Sequence, residues 1–333
     1  MSSFVKKYIT CFFVLIILFC GESSFSQFSR ENIETDSSNI EIVRNSLYRV
    51  YEETFKNKDL IWYSVRYIND TNQINTEGWE TKKRIRLGTW NEYSIEGELL
   101  YTLNYDSGTS YINKEFYPDH GILEKMKQIA DSMIINEYSK NFFDNYVRFS
   151  FTCNAYDKEG YVGSWEEPLK RNPESFVLRY DVRIDSSEWQ KYMIGIELDK
   201  NGKYRQSNDI WNNCGFENVQ TPQKTFLLNR TKALEIAIEN GLQASDTVEI
   251  LTFLKWESFK KGSYYNGEFK YYIAELKDII KNINPNGRSR VEYKYKVYTF
   301  NPWSGEFINV KKMKQVQEWE KFSGSNSGFI PDE

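Results

Sequence analysis

Short β-like runs that end in a glycine turn recur along this chain and limit the folds that it can adopt. Three such turns contain Gly108, Gly202 and Gly305, and each closes a stretch of strand-like residues. Glycine suits these turns because it adopts a positive φ without steric cost. A helical pattern precedes each set of runs. The sequence therefore predicts that one unit, a helix followed by an antiparallel meander of strands, occurs three times.

The three predicted helices lie at 40–56, 122–138 and 230–240. The first follows a capping box at 38–41 and has apolar residues at three- and four-residue steps. The second starts after Asp119 with a similar stripe. The third has Asn229 as its N-cap and Gly241 as its stop signal.

The predicted fold class is α+β, built from repeated helix-plus-meander units with no parallel sheet. The charge changes from acidic to basic near residue 222, which supports a boundary there. A short closing helix is expected at 313–322 because its apolar residues are three apart. The predicted segments are a signal peptide at 1–26, a flexible N-terminal segment at 27–37, α-β units at 38–118, 119–222 and 223–322, and a tail at 323–333.

The first residues have the features of an export signal. Lys6 and Lys7 precede an apolar stretch from Tyr8 to Cys20, which is too short to span a bilayer comfortably. A small residue at Ser26 predicts cleavage before Gln27. We therefore expect an exported protein with no transmembrane helix after removal of the signal.

Lipidation at Cys20 is the alternative to simple cleavage. This cysteine directly follows the apolar stretch, although Phe19 stands where a lipoprotein signal has a small residue. Cleavage predicts a periplasmic or extracellular protein, whereas lipidation predicts a protein anchored to the outer membrane.

Cys153 and Cys214 are the cysteines that remain after signal removal. A remaining pair in an oxidising compartment often forms a disulfide. The alternative is two buried free thiols, because the sequence does not give the distance between the two Cα atoms.

The third unit resembles the PepSY family. Residues 229–237, Asn-Arg-Thr-Lys-Ala-Leu-Glu-Ile-Ala, are similar to the capped helix of that family, and residues 298–307, Tyr-Thr-Phe-Asn-Pro-Trp-Ser-Gly-Glu-Phe, to its final strand, turn and strand. The resemblance implies a PepSY/cystatin-like, exported α+β module that binds or inhibits. It brings no catalytic residues.

The sequence contains no convincing catalytic, cofactor or metal site. His120 is the single histidine, so histidine-rich metal sites are excluded, and its place at a helix start predicts an exposed side chain. Glu166 and Glu167 beside Trp165 are the most suggestive acidic pair for a hydrolase. A net charge of −4 lacks the basic footprint of a nucleic-acid-binding protein.

Three functions follow, in order of preference. The first is a non-enzymatic binding or regulatory protein of the bacterial cell envelope that engages a protein or peptide, for example through an exposed sheet edge. The second is an envelope carbohydrate-binding protein that uses exposed aromatic residues such as Trp165, Trp211 or Trp303. The third is a carboxylate-dependent hydrolase.

Overall fold

Antiparallel β-structure dominates the chain. The computed structural model describes residues 29–68, 73–186, 189–205, 215, 225–243, 249–260, 263–284, 287–320 and 323–332. Strands account for 56% of the described residues and helices for 13%, in three helices. The predicted class of repeated helix-plus-meander units is therefore wrong: the chain forms large sheets, one of them a half-barrel.

The first compact unit extends to Asn113 and contains one eight-stranded antiparallel sheet in which every strand pairs with its neighbour in sequence. Its strands are β1 (Ser29–Glu34), β2 (Ser38–Arg44), β3 (Tyr48–Phe55), β4 (Ile61–Tyr67), β5 (Ile74–Glu80), β6 (Arg86–Tyr93), β7 (Leu99–Asn104) and β8 (Thr109–Ile112).

The first predicted helix, at 40–56, is wrong because these residues form the β2–β3 hairpin. The side chain of Asn45 accepts hydrogen bonds from the backbone N–H groups of Leu47 and Tyr48, both at 2.8 Å, and so stabilises a tight turn. Leu47, one of the apolar residues at helical spacing, is 64% exposed in that turn. Residues 29–34 of the segment predicted to be flexible form β1, and β1 pairs with β2 along its whole length.

Trp90 of β6 lies directly over Gly78 of β5 and is 2% exposed. A Cβ atom added to Gly78 would come within 2.3 Å of the indole ring. The indole N–H donates to the carbonyl oxygen of Trp79 at 3.1 Å, and the ring stacks on Tyr63. Glycine at position 78 therefore makes room for the largest fully buried side chain of the unit.

We expect Gly78→Ala to destabilise the protein by about 1–3 kcal/mol, the usual cost of overpacking, because the indole ring must move. The measurement is the free energy of unfolding in urea. Gly121→Ala is the control, since a Cβ atom there meets nothing within 4 Å. An equal effect of the two substitutions would contradict the assignment of Gly78 as a packing residue.

The second compact unit begins at Lys114 and contains two helices beside a four-stranded sheet with the order β10-β9-β11-β12. The elements are α1 (His120–Glu137), α2 (Lys140–Tyr146), β9 (Val147–Asp157), β10 (Gly160–Gly163), β11 (Ser175–Val182) and β12 (Gln190–Asp199). Helix α1 confirms the helix predicted after Asp119. Its buried residues include Leu123, Met126 and Ala130.

The rest of this unit is α3 and a second antiparallel sheet. The elements are α3 (Arg230–Glu239), β13 (Ile250–Lys260), β14 (Ser263–Asn282), β15 (Ser289–Phe300), β16 (Phe307–Glu320), β17 (Ser323–Asn326) and β18 (Ile330–Pro331). The side chain of Asn229 accepts from the Lys232 N–H at 2.8 Å, which confirms the predicted N-cap. The closing helix predicted at 313–322 is wrong, because β16 pairs with β15 along that stretch.

The tail returns to the second sheet of this unit. Both β17 and β18 pair with β16. Between them Phe329 places its ring 4.7 Å from Phe253 and 4.9 Å from Tyr295, measured between ring centroids. Asp332 lies 3.4 Å from the ammonium group of Lys314. These last residues cover a hydrophobic cluster that includes Tyr272, Val297 and Met313.

Candidate binding face on the first sheet

One face of the eight-stranded sheet is packed, whereas most side chains of the other face are half-buried or exposed. The packed face contains Ile61, Val65, Trp90 and Leu103, all buried. Successive residues of a strand point to opposite sides of a sheet, so the neighbours of these residues lie on the other side. We call that other side the cleft face. It consists of Arg44, Arg49, Tyr51, Glu53, Trp62, Ser64, Arg66, Glu77 and Trp79, which share one side by their cross-strand pairing.

The centre of the cleft face is a shallow cleft of about 220 Å³. It lies on β3 and β4, and two of its cross-strand pairs are Arg49 with Arg66 and Tyr51 with Ser64. Trp62 of β4 completes the lining. The cleft therefore offers two guanidinium groups, one phenol, one hydroxyl and one indole within a small area.

The arginines form a row across three strands. Arg44 of β2 lies opposite Arg49 of β3, which lies opposite Arg66 of β4. Like charges directly opposite one another destabilise a sheet. Arg44 has Glu31 at 3.7 Å, and Arg66 also has an interaction of its own. Among the described residues, Arg49 forms neither a hydrogen bond nor an ion pair, so the middle of the row carries an uncompensated positive charge.

The end of the cleft face beyond Tyr51 is acidic. The hydroxyl of Ser38 donates to one carboxylate oxygen of Glu53 at 2.7 Å, and the hydroxyl of Tyr51 donates to the other at 3.2 Å. Burial and then the charge of Glu53 raise the pKa of Tyr51, so its hydroxyl stays protonated. The cleft is therefore polarised, with positive charge at one end and a held carboxylate at the other.

Aromatic rings extend the cleft face beyond the cleft. Trp62 meets Trp79 edge-to-face at 4.9 Å between ring centroids, and Phe55 lies 5.8 Å from Trp79. Trp79 is 38% exposed. Rings of this kind bury a large area on binding while they lose little side-chain entropy.

The structure places two of the residues singled out from the sequence together, but inside the second unit. His120, predicted to be exposed, is buried, and its ring lies 4.5 Å from that of Trp165. Glu124 lies 3.5 Å from its Nδ1 atom. Burial lowers the pKa of His120, and the charge of Glu124 opposes this only in part. Both aromatic side chains belong to the core of the unit.

We expect the buried His120 to make stability depend on pH. Because its folded-state pKa is lowered, the unfolded state binds the extra proton first, so stability falls as the pH drops below about 6.5. The measurement is the difference between urea midpoints at pH 7.5 and pH 5.5. His120→Phe, which keeps a ring but cannot titrate, is expected to show a smaller difference. Equal differences would refute this assignment.

The remaining predicted site residues are the cysteines and the residues of the predicted leader. Cys153 lies in β9 with its side chain fully buried, and burial raises the pKa of its thiol. Its predicted partner Cys214 lies outside the described residues, as do Cys20, Ser26 and Gln27 of the leader. The disulfide, the cleavage site and the lipidation site therefore stay predictions.

Of the predicted hydrolase and carbohydrate residues that the structure describes, Trp165 and Trp303 are buried, whereas Glu167 is exposed. The backbones of Ser164 and Glu167 bond to each other in a tight turn, both at 3.2 Å, which directs Trp165 inward. Trp303 is also buried, and it stacks on Tyr138. Trp211 lies outside the described residues. The two buried indoles are thus wrong as exposed sugar platforms.

Within the described ranges, no group of three or more histidine, cysteine, aspartate or glutamate side chains could hold a metal ion. None of the helices that the structure describes is both long enough and apolar enough to cross a membrane.

The cleft face was missed by sequence reasoning because 40–56 was interpreted as a helix. The signal was nevertheless present as a two-residue alternation over Arg49-Val50-Tyr51-Glu52-Glu53, which continues in Trp62-Tyr63-Ser64-Val65-Arg66.

Comparison with known proteins gives no family for this chain. No family model matches it, and no curated protein or solved structure shows significant similarity to it. The PepSY resemblance of residues 223–322 therefore stays a prediction, and the function must be argued from the geometry of the chain itself.

Proposed function

We propose that this is an exported, non-enzymatic binding protein of the bacterial cell envelope, and that it engages a protein or peptide partner through the cleft face. The observation that carries the proposal is the composition of the cleft. Trp62, Tyr51, Arg49 and Arg66 line one small cleft. Tryptophan, tyrosine and arginine are the residue types that dominate binding energy at protein interfaces.

The placement of these residues supports the same proposal. They lie on regular strands whose register is fixed by continuous pairing, so their positions are preorganised. Trp62 is held by Trp79, and Tyr51 is held by Glu53. A preorganised side chain loses less conformational entropy on binding than a mobile one.

The binding proposal can be tested with a displayed library of short peptides panned against the full chain. Peptides that are enriched are then measured by fluorescence anisotropy with a fluorescein label. We expect Trp62→Ala to weaken binding at least about tenfold, as at an interface hot spot, without a change in the urea midpoint.

Trp319→Ala is the matched control, because Trp319 is an exposed indole on β16 of the other unit. It is expected to leave the affinity unchanged. The proposal fails if no peptide is enriched, or if Trp62→Ala binds every enriched peptide as tightly as the unmodified chain.

The second candidate function is carbohydrate binding, and the edge-to-face pair of the half-buried Trp62 and the exposed Trp79 favours it. Affinity electrophoresis in gels that contain soluble polysaccharides separates it from the first. Retardation that Trp79→Ala abolishes, together with a lack of peptide binding, would replace the first proposal by the second.

Export is a separate part of the proposal. When the full chain is produced in a Gram-negative host, we expect the mature protein to start at Gln27, because small residues precede that bond. Intact-mass measurement distinguishes this product from one that starts at Cys20 and carries acyl chains. A mass that retains Met1 and the apolar stretch would contradict export by cleavage.

A further inference from the structure

We infer that the cleft selects an acidic peptide segment, and that a carboxylate of this segment sits on Arg49 between its two arginine neighbours. The inference deepens the proposed function and rests on it. It begins from the arginine row, in which Arg44, Arg49 and Arg66 follow one another across β2, β3 and β4.

The middle of the row has no counter-ion among the described residues. The three guanidinium groups of the row lie on one face at neighbouring positions, where like charges repel. Arg49 in the middle has neither an ion pair nor a hydrogen bond to any described residue, and its side chain lines the cleft. A bound carboxylate would relieve this repulsion and accept two parallel N–H bonds from one guanidinium group.

The other charges on the cleft face limit where an anion can bind. Glu31 lies beside Arg44, Glu77 lies opposite Ser64, and Glu53 stands at the level of Trp62. The hydroxyl groups of Ser38 and Tyr51 donate to Glu53 and hold its carboxylate in place. A second anionic group at that end would meet repulsion, so the cleft favours negative charge at the arginine end only.

This polarity favours a peptide over an anionic polysaccharide. A polysaccharide with charged repeats would bring negative charge to Glu53 and Glu77 as well as to the arginine row. A peptide can carry a single acidic residue and an apolar residue farther along. Trp62 and the exposed Trp79 give the apolar residue a place to pack.

The strand geometry sets the spacing of the two residues. Trp62 of β4 lies opposite Glu53 of β3, and Glu53 is four residues after Arg49 on β3. Four residues of extended chain span about 13 Å. An extended peptide that lies along β3 and β4 would therefore place a Glu or Asp side chain on Arg49 and an aromatic side chain, four residues away, on Trp62.

The test uses three labelled peptides that differ at one position. Each carries Phe four residues from Glu, from Gln or from Lys, and anisotropy titrations use the full chain. We expect the Glu peptide to bind about tenfold or more tightly than the Gln peptide, the range of a charge-assisted hydrogen-bonded contact. The Lys peptide is expected to bind most weakly. Added salt is expected to reduce the difference in affinity between the Glu and Gln peptides.

Two variants locate the effect. Arg49→Gln is expected to bring the Glu and Gln peptides within about twofold of each other, because it removes the charge and keeps a polar side chain. Arg30→Gln is the control for net charge. Arg30 pairs with Val43, so it lies on the other side of the sheet, and its exposed contact with Glu41 contributes little. It should preserve the preference for Glu.

The outcomes separate this inference from the proposed function. Equal binding of the Glu and Gln peptides, with Trp62→Ala still weakening both, overturns the acidic preference and leaves the peptide-binding function standing. No binding of any library peptide or designed peptide overturns both. Polygalacturonate and the unlabelled Glu peptide are compared as competitors of the labelled Glu peptide, each at a stated concentration of carboxylate groups. If polygalacturonate displaced the labelled peptide at the lower carboxylate concentration, the choice of a peptide ligand would be overturned.

Discussion

The pairing of β3 with β4 determines which side chains form the cleft face. Seven consecutive pairs join Tyr48–Phe55 to Ile61–Tyr67, from Tyr48 with Tyr67 to Thr54 with Ile61. A slip by one residue would exchange the two faces, so Val65 would enter the cleft and Arg66 would enter the core. The buried side chains of the packed face, above all Trp90 over Gly78, make that slip costly. Packing on one side of the sheet thus positions the charged groups on the other.

The fold could be predicted from the sequence where a local signal had a single interpretation. Asn229 caps α3, where a cap and a helical period coincide, and the apolar stripe after Asp119 is α1, where the helical period alone is the signal because the Asp119 side chain makes no capping hydrogen bond. The segment at 40–56 fits two periods at once. Ile40, Val43 and Leu47 have helical spacing, while Ile40 and Ile42 alternate with Glu41 and Val43. Residues with branched β-carbons favour a strand there, and pairing along β1 and β4 decides the outcome.

The candidate site depends on which residues face one another across strands, and this register cannot be predicted from a local pattern. Arg49 and Arg66 are far apart in the sequence, and only the register brings them together. The buried pair of His120 and Trp165 shows the opposite case: unusual residues attracted attention in the sequence, although their environment is that of a packed core. Rarity of a residue type in the sequence is thus a poor guide to its exposure on the folded chain.

The position of the final strands also affects how the chain tolerates proteolysis and fusion. Phe329 covers Phe253 and Tyr295, while β17 and β18 occupy the outer edge of β16. A protease that removed these strands would leave aromatic rings in water beside a strand with unbonded backbone groups, the combination from which chains associate edge to edge. Fusion partners and purification handles are for the same reason better attached elsewhere than close behind Asp332.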